Sequence, residues 1–178
     1  MVIFTSDHGE ACGDHGLLYK GCRFYEGLVR VPLIVSWPGH FQQGVRSDAL
    51  VGLIDIAPTL LEVAGVPGRE TMQGKSLAPI LTGKAPPGRH REYVRSVYYR
   101  VLTGIPSYAT MIRNQRYKLV KYHGTGLGEL FDLAADPGEF DNLWDDPAHA
   151  RVRFELLEQN FDELAFAVDV GPKQIGRY

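Results

Sequence analysis

Cysteine is scarce in this chain, with only Cys12 and Cys22 among 178 residues. Two cysteines make neither a disulfide framework nor a zinc-binding spacing. Isolated cysteines usually behave as small hydrophobic side chains, so we expect two free thiols, with a disulfide between them as the alternative.

Charge of one sign is also lacking. The 19 Lys and Arg residues against 21 Asp and Glu residues give a net charge of -2. A nearly neutral chain has no broad basic field for nucleic acid and no polybasic patch for a membrane surface. We therefore expect no nucleic-acid partner.

Long apolar runs are absent as well. None approaches the ~20 residues of a membrane-spanning helix, and no basic-then-apolar leader opens the chain. The sequence begins abruptly on the strand-like run 2–5, which is typical of a fragment or of a start placed too late. The missing leader therefore leaves the compartment open.

The composition that remains is that of a folded protein, with 44% hydrophobic and 22% charged residues. The order of predicted elements divides the chain in two. Residues 1–91 have the pattern of strand–helix units, and residues 92–178 that of an antiparallel sheet with a closing helix.

The first part has an α/β pattern. Residues 2–5 and 29–36 are apolar runs with little alternation, typical of strands covered on both faces in a parallel sheet. Residues 53–65 have a helical pattern that Asp55 can cap. The predicted inner stripe of this helix consists of Ile56, Leu60, Leu61, Val63 and Ala64.

The second part alternates like half-exposed strands. The predicted strands are 93–101, 108–113, 117–122 and 130–133. A helix follows Asp146, and its predicted buried face consists of Leu157, Phe161, Leu164 and Val168.

The densest polar cluster follows the first predicted strand. Ligands of open α/β sheets bind beyond the carboxyl ends of strands, where Asp7 and His8 lie. A carboxylate and a neutral imidazole suit a divalent cation. The alternative is a strand-ending turn with local hydrogen bonds, because two adjacent ligands do not complete a coordination shell.

Other polar residues nearby allow two interpretations each. His15, in a glycine-rich loop, can protonate a leaving group or order the loop by a hydrogen bond. Glu26 and Arg30 stand four residues apart, which favours a structural ion pair.

Short motifs run along the chain from residue 2 to about 145. They include Thr5-Ser6-Asp7-His8-Gly9-Glu10, Gly13-Asp14-His15-Gly16, Arg30-Val31-Pro32-Leu33, Trp37-Pro38-Gly39, Asp55-Ile56-Ala57-Pro58-Thr59, Tyr117-Lys118 and Asp136-Pro137-Gly138-Glu139. In order and spacing they resemble the sulfatase family of the alkaline-phosphatase superfamily. The resemblance implies the C-terminal part of an alkaline-phosphatase-like sheet domain, followed by a small antiparallel sheet with a closing helix.

The resemblance also implies roles for single residues. Asp7 and His8 match the pair that completes the family's divalent metal site, for which calcium is expected and manganese is the alternative. Lys20 matches the lysine that contacts an oxygen of the sulfate or phosphoryl group. His15 is the further catalytic candidate.

The family's nucleophile is absent from this chain. It is a formylglycine made from the first residue of a Cys/Ser-x-Pro/Ala-x-Arg motif, which neither Cys12 nor Cys22 begins. We expect formylglycine, and the aspartates that supply the other metal ligands, only in a missing N-terminal portion. A displacement cannot run without its nucleophile, so we expect the isolated chain to be inactive.

The expected function is thus part of a sulfuric-ester hydrolase acting on a sulfate ester or a sulfated glycan. The alternatives are a phosphonate or phosphate ester hydrolase of the same superfamily, and a truncated domain that binds an anion or a partner without turnover. A sheet cut in half exposes an edge, so we also expect self-association through that edge.

Overall fold

The computed structural model describes residues 1–99 and 108–167. The strands are β1 (Val2–Thr5), β2 (Leu33–Ser36), β3 (Val94–Tyr99), β4 (Tyr108–Arg113), β5 (Tyr117–Tyr122) and β6 (Gly128–Asp132), and the helices are α1 (Glu26–Val29), α2 (Ile56–Val63), α3 (Ala78–Leu81) and α4 (Ala150–Phe166). The strands form a two-stranded sheet, β1-β2, and a four-stranded sheet, β3-β4-β5-β6. Within these residues, no helix has the length and apolarity needed to cross a membrane.

The first sheet differs from the parallel sheet predicted from its apolar runs. β1 and β2 pair antiparallel, with Phe4 opposite Ile34 and Thr5 opposite Leu33. The prediction was wrong because an unbroken apolar run indicates burial of both faces and carries no information on strand direction. The predicted free thiols are confirmed, since neither Cys12 nor Cys22 forms a disulfide.

The second sheet confirms the predicted hairpins. β4 and β5 have the bounds predicted from the alternating pattern, and β3 begins one residue after the start of the strand predicted at 93–101. β6 begins two residues earlier and ends one residue earlier than the strand predicted at 130–133. All neighbouring strands pair antiparallel. The sheet lies between two layers: one face holds Ile112, Leu119 and Leu130 against α4, and the other contacts the segment around Phe24.

The predicted faces of the two longer helices need correction. In α2 the buried side chain is Thr59, while Leu60 of the predicted stripe is 40% exposed. In α4 Leu156 and Asn160 face the sheet, whereas Phe161 is 73% exposed. The Asn160 amide donates to the Thr110 hydroxyl at 2.8 Å, so a polar contact fixes the rotation of α4. Val168 of the predicted face lies outside the described residues.

The first sheet carries an exposed apolar surface, here called the outer ribbon face, formed by Val2, Phe4 and Ile34. These side chains are 66%, 60% and 59% exposed and stand on one side of the paired strands. A two-stranded ribbon is marginally stable without a covering layer, and its outer edges offer unpaired backbone groups. This surface therefore favours association with another polypeptide.

We expect the isolated chain to self-associate through the outer ribbon face. Replacing Phe4 and Ile34 together with serine removes apolar area from that face, so sedimentation velocity should show a shift towards monomer. Phe154→Ser is the matched control, because Phe154 is also 60% exposed but lies on α4. A wild-type chain that stays monomeric over the whole concentration range would contradict this expectation.

Candidate functional site

Asp7 and His8 lie just beyond the carboxyl end of β1, as the sequence predicted. The Ser6 hydroxyl donates to the His8 carbonyl at 2.8 Å, and the His8 amide donates to Asp7 Oδ1 at 3.0 Å. Asp7 Oδ2 lies 3.4 Å from His8 Nε2, and the two side chains are 83% and 42% exposed. The turn thus presents a carboxylate and an imidazole side by side to solvent.

A local hydrogen bond fixes the tautomer of the neutral His8 ring. His8 Nδ1 lies 2.8 Å from the carbonyl oxygen of Gly9, which can only accept. In the neutral ring Nδ1 therefore carries the proton and Nε2 keeps its lone pair. This arrangement is the one in which a histidine binds a metal ion through Nε2 while the other nitrogen orients the ring.

Lys20 returns to the same place after a loop of eleven residues, 9–19. Its ammonium group contacts His8 Nε2. The hydrogen bond from the His8 amide, together with the nearby His8 ring and Lys20 ammonium, lowers the pKa of Asp7 below its usual value. The structure therefore brings together an ionised carboxylate, a histidine lone pair and a cation.

These two ligands do not make a full coordination shell. In the part of the chain that the structure describes, no group of three or more His, Cys, Asp and Glu residues could hold a metal ion. Asp7 and His8 still fit a divalent cation as two of its donors, because the Asp7 carboxylate is open to solvent and His8 Nε2 lies 3.4 Å from it. The cation would replace the Lys20 ammonium as the partner of the His8 Nε2 lone pair. Further ligands would have to come from elsewhere.

His15 lies apart from this group. Its ring stacks on Tyr25 at 3.8 Å between centroids and faces Phe140 at 4.9 Å. Its backbone is left-handed, with φ of 53°. These contacts favour an ordering role in the loop, through ring stacking and not through the hydrogen bond considered from the sequence; its catalytic role stays a prediction.

Gly9 connects the site to α1. The Gly9 amide donates to the Leu28 carbonyl at 2.8 Å, and a Cβ on Gly9 would lie 1.9 Å from the Gly27 carbonyl oxygen. Glycine is required here because two backbones approach closely. The backbone after His8 is thus held against the α1 segment.

A buried charge network, which the sequence did not predict, lies on the other side of α1. It consists of Glu26, Arg113, Lys118 and Glu139. Glu26 is 2.6 Å from Arg113 and 2.7 Å from Lys118, and Lys118 is 2.6 Å from Glu139. The predicted Glu26–Arg30 pair is present too, but at 3.9 Å and with Arg30 largely exposed. Glu26 therefore belongs mainly to the buried network.

Asp55 is likewise buried, but it does not cap α2 as predicted. Its carboxylate accepts hydrogen bonds from the amides of Gly52 and Lys75 at 2.9 and 2.8 Å and pairs with Arg91. His90 lies 3.4 Å away, and burial lowers the pKa of His90 despite the Asp55 charge. Asp55 thus links the segments that carry Gly52, Lys75 and Arg91 to the start of α2.

The chain is similar to known proteins over most of its length. The family model described as N-sulphoglucosamine sulphohydrolase, C-terminal, matches residues 13–165. Delta 4,5-hexuronate-2-O-sulfatase of Bacteroides thetaiotaomicron is 33% identical and arylsulfatase K of Gallus gallus 34% identical, each over 97% of this chain. The chain spans 38% and 32% of those two proteins, about a third of their length.

Solved structures share the fold. A 2-O GAG sulfatase has a TM-score of 0.85 at 31% identity, covering 93% of this chain and 36% of its own. A protein in complex with its substrate D-glucosamine-2-N,6-O-disulfate has a TM-score of 0.83 at 30% identity, over 96% and 35%. Phosphonate monoester hydrolase from Silicibacter pomeroyi has a TM-score of 0.82 at 30% identity, over 94% and 35%. These likenesses confirm the predicted fold class.

The charge network predicts a specific pH dependence. Burial raises the pKa of Glu26, but Lys118 and Arg113 together outweigh burial and hold it below the ordinary 4.5. The unfolded chain therefore binds this proton first, so the contribution of Glu26 to stability is present above pH 4.5 and is lost as the pH falls through the folded pKa. Glu26→Gln should flatten the acid loss of unfolding free energy measured with urea.

Glu129→Gln is the control of opposite sign. Burial raises the pKa of Glu129 above 4.5, so its protonation on acidification favours the folded state. Removing this group should make the acid loss steeper. An acid slope in Glu26→Gln equal to that of the wild type would show that Glu26 does not titrate as described.

Proposed function

The chain belongs to the sulfatase family, whose N-sulphoglucosamine sulphohydrolase C-terminal model it matches, and we propose that it supplies the metal- and anion-binding side of a sulfuric-ester hydrolase site. The observation that carries the proposal is the meeting of Asp7, His8 and Lys20 at one solvent-exposed point. Asp7 and His8 would be two ligands of a divalent cation, with calcium favoured by oxygen donors and manganese allowed by the imidazole.

The chemistry of a sulfate ester explains why these groups belong together. Negative charge develops on the leaving oxygen as the ester bond breaks, and a cation that is fixed before the reaction lowers the energy of that state. The bound metal ion would supply Lewis acidity. Lys20 binds a sulfate oxygen and places its ammonium against the anion, while Asp7 and His8 hold their donor atoms still.

The relatives support sulfated sugars as the substrate class. Their names include a hexuronate-2-O-sulfatase, and one structural neighbour holds a glucosamine disulfate as its substrate. Phosphonate esters are the second candidate, because the phosphonate monoester hydrolase has a closely similar fold. The same three side chains suit both tetrahedral anions. We propose sulfate esters because sulfatases supply the family match and the two sequence relatives.

Divalent metal binding tests the proposed ligands. We expect the chain to bind Mn²⁺ weakly in calorimetric titrations at neutral pH, and Asp7→Ala to weaken binding at least tenfold, because the carboxylate supplies the negative charge. Asp48→Ala is the matched control, since its side chain is 82% exposed and Asp7's is 83%. Equal affinity in Asp7→Ala and the wild type would refute the assignment.

Turnover by residues 1–178 alone tests the division of the active site. The sequence contains no Cys/Ser-x-Pro/Ala-x-Arg motif, so we expect no hydrolysis of an aryl sulfate above the buffer rate with Ca²⁺ or Mn²⁺ added. The Asp7→Ala variant serves as the blank for contaminating enzymes. Metal-dependent turnover that disappears in Asp7→Ala would show that this chain holds a complete catalytic site.

A further inference from the structure

We infer that Lys118, in the four-stranded sheet, is a positioning residue for the Asp7–His8 pair, and this inference rests on the proposed function. Lys118 does not contact either residue. It acts through α1. Lys118 contacts Glu26 of α1, and the Gly9 amide, directly after His8, donates to the Leu28 carbonyl of α1. The second part of the chain would thus fix the geometry of a site that belongs to the first.

The ammonium group of Lys118 is surrounded by three oxygen atoms. Its Nζ lies 2.8 Å from the Phe24 carbonyl oxygen, 2.7 Å from Glu26 and 2.6 Å from Glu139. An ammonium group has three N–H donors, and three acceptors surround this one. The Lys118 side chain is fully buried, so none of these contacts is exchanged for water.

The start of α1 is attached to Glu139. The Glu26 amide donates to Glu139 Oε2 at 2.6 Å, while Glu139 Oε1 faces Lys118. Glu139 has a left-handed backbone, with φ of 60°, which is uncommon outside glycine. One carboxylate therefore binds both the first amide of α1 and the cation that holds the side chain of the same residue.

Backbone contacts connect α1 to the Asp7–His8 pair. Leu28, two residues after Glu26, accepts the Gly9 amide, and Gly9 packs so closely on Gly27 that no Cβ fits. Gly9 follows His8 directly, and its carbonyl orients the His8 ring. A displacement of Glu26 would therefore move the Gly9 contact and the direction of His8 Nε2.

The test compares local and global effects of removing the cation. Lys118→Met combined with Glu139→Gln removes one positive and one negative charge, so no carboxylate is left without its partner. We expect the Gly9 amide to exchange with solvent at least tenfold faster, while amides of β4 and β5 change less than threefold. Mn²⁺ affinity should fall about tenfold in the same variant at neutral pH.

Lys121→Met is the matched control, because Lys121 is on the same strand and, among the residues that the structure describes, its ammonium contacts the Leu127 carbonyl and the face of Trp144. It should leave Gly9 exchange and Mn²⁺ affinity unchanged. Unchanged Gly9 exchange in the double variant, or equal acceleration of all amides, would overturn the inference.

Two further results keep the inference separate from its premise. A wild-type chain that binds no Mn²⁺ would refute the proposed metal site, while the Gly9 exchange ratio would still decide whether Lys118 positions this backbone. If the double variant does not fold, Lys118→Arg replaces it, since that change keeps the positive charge but removes the ammonium group from among its three oxygen neighbours. A Gly9 acceleration of about threefold, confined to the α1 segment, is then expected, and no local change would overturn the inference.

Discussion

The ammonium group of Lys118 is enclosed by protein, and most of what joins the two parts of this molecule depends on how its charge is balanced. Burying an ion costs several kcal/mol even after relaxation, so an ammonium group here needs negatively charged partners. Glu26 and Glu139 supply that balance from positions far away in sequence. The four-stranded sheet and the α1 segment can therefore adopt this packing only together, because each provides charges that the other neutralises.

This constraint explains why the sheet has two different faces. Towards α4 it presents Ile112, Leu119 and Leu130, which bind through apolar contact and tolerate small shifts. Towards α1 it adds Arg113 and Lys118, which require defined partners at hydrogen-bond distance. Apolar packing supplies most of the stability on the first face, whereas charged contacts on the second restrict the position of α1 more narrowly.

Local sequence patterns predicted the strands of the second sheet and the position of Asp7 and His8 at the end of β1, and for a common reason. In β4 and β5 the side chains alternate with a period of two, and Asp7 and His8 directly follow an apolar run, so adjacent residues carry the signal. The predicted helix faces failed where a polar residue was buried. Thr59 and Asn160 are paired by hydrogen bonds inside the protein, and a search for apolar stripes passes over such residues.

The charge network was beyond any local pattern. Glu26 and Lys118 meet across 92 positions, and no pattern of adjacent residues links them. The motifs around Lys118 and Glu139 were part of the family resemblance, but a motif match does not say what its residues contact. Their contacts become visible only when the register Arg113 opposite Lys118 places two cations on the face that receives Glu26.

The buried charge network and the group formed by Asp7, His8 and Lys20 differ in their exposure to solvent. The buried network contains two positive and two negative charges, so its net charge is zero. The Asp7 carboxylate is 83% exposed and His8 Nε2 has Lys20 as its partner, so this group stays hydrated at little cost. A buried Asp7 carboxylate would need a permanent positively charged partner, whereas an exposed carboxylate is stabilised by water. Val2 and Phe4 of the outer ribbon face lie on β1, which ends at Thr5, two residues before Asp7, so the exposed apolar surface and the exposed charges share one short segment.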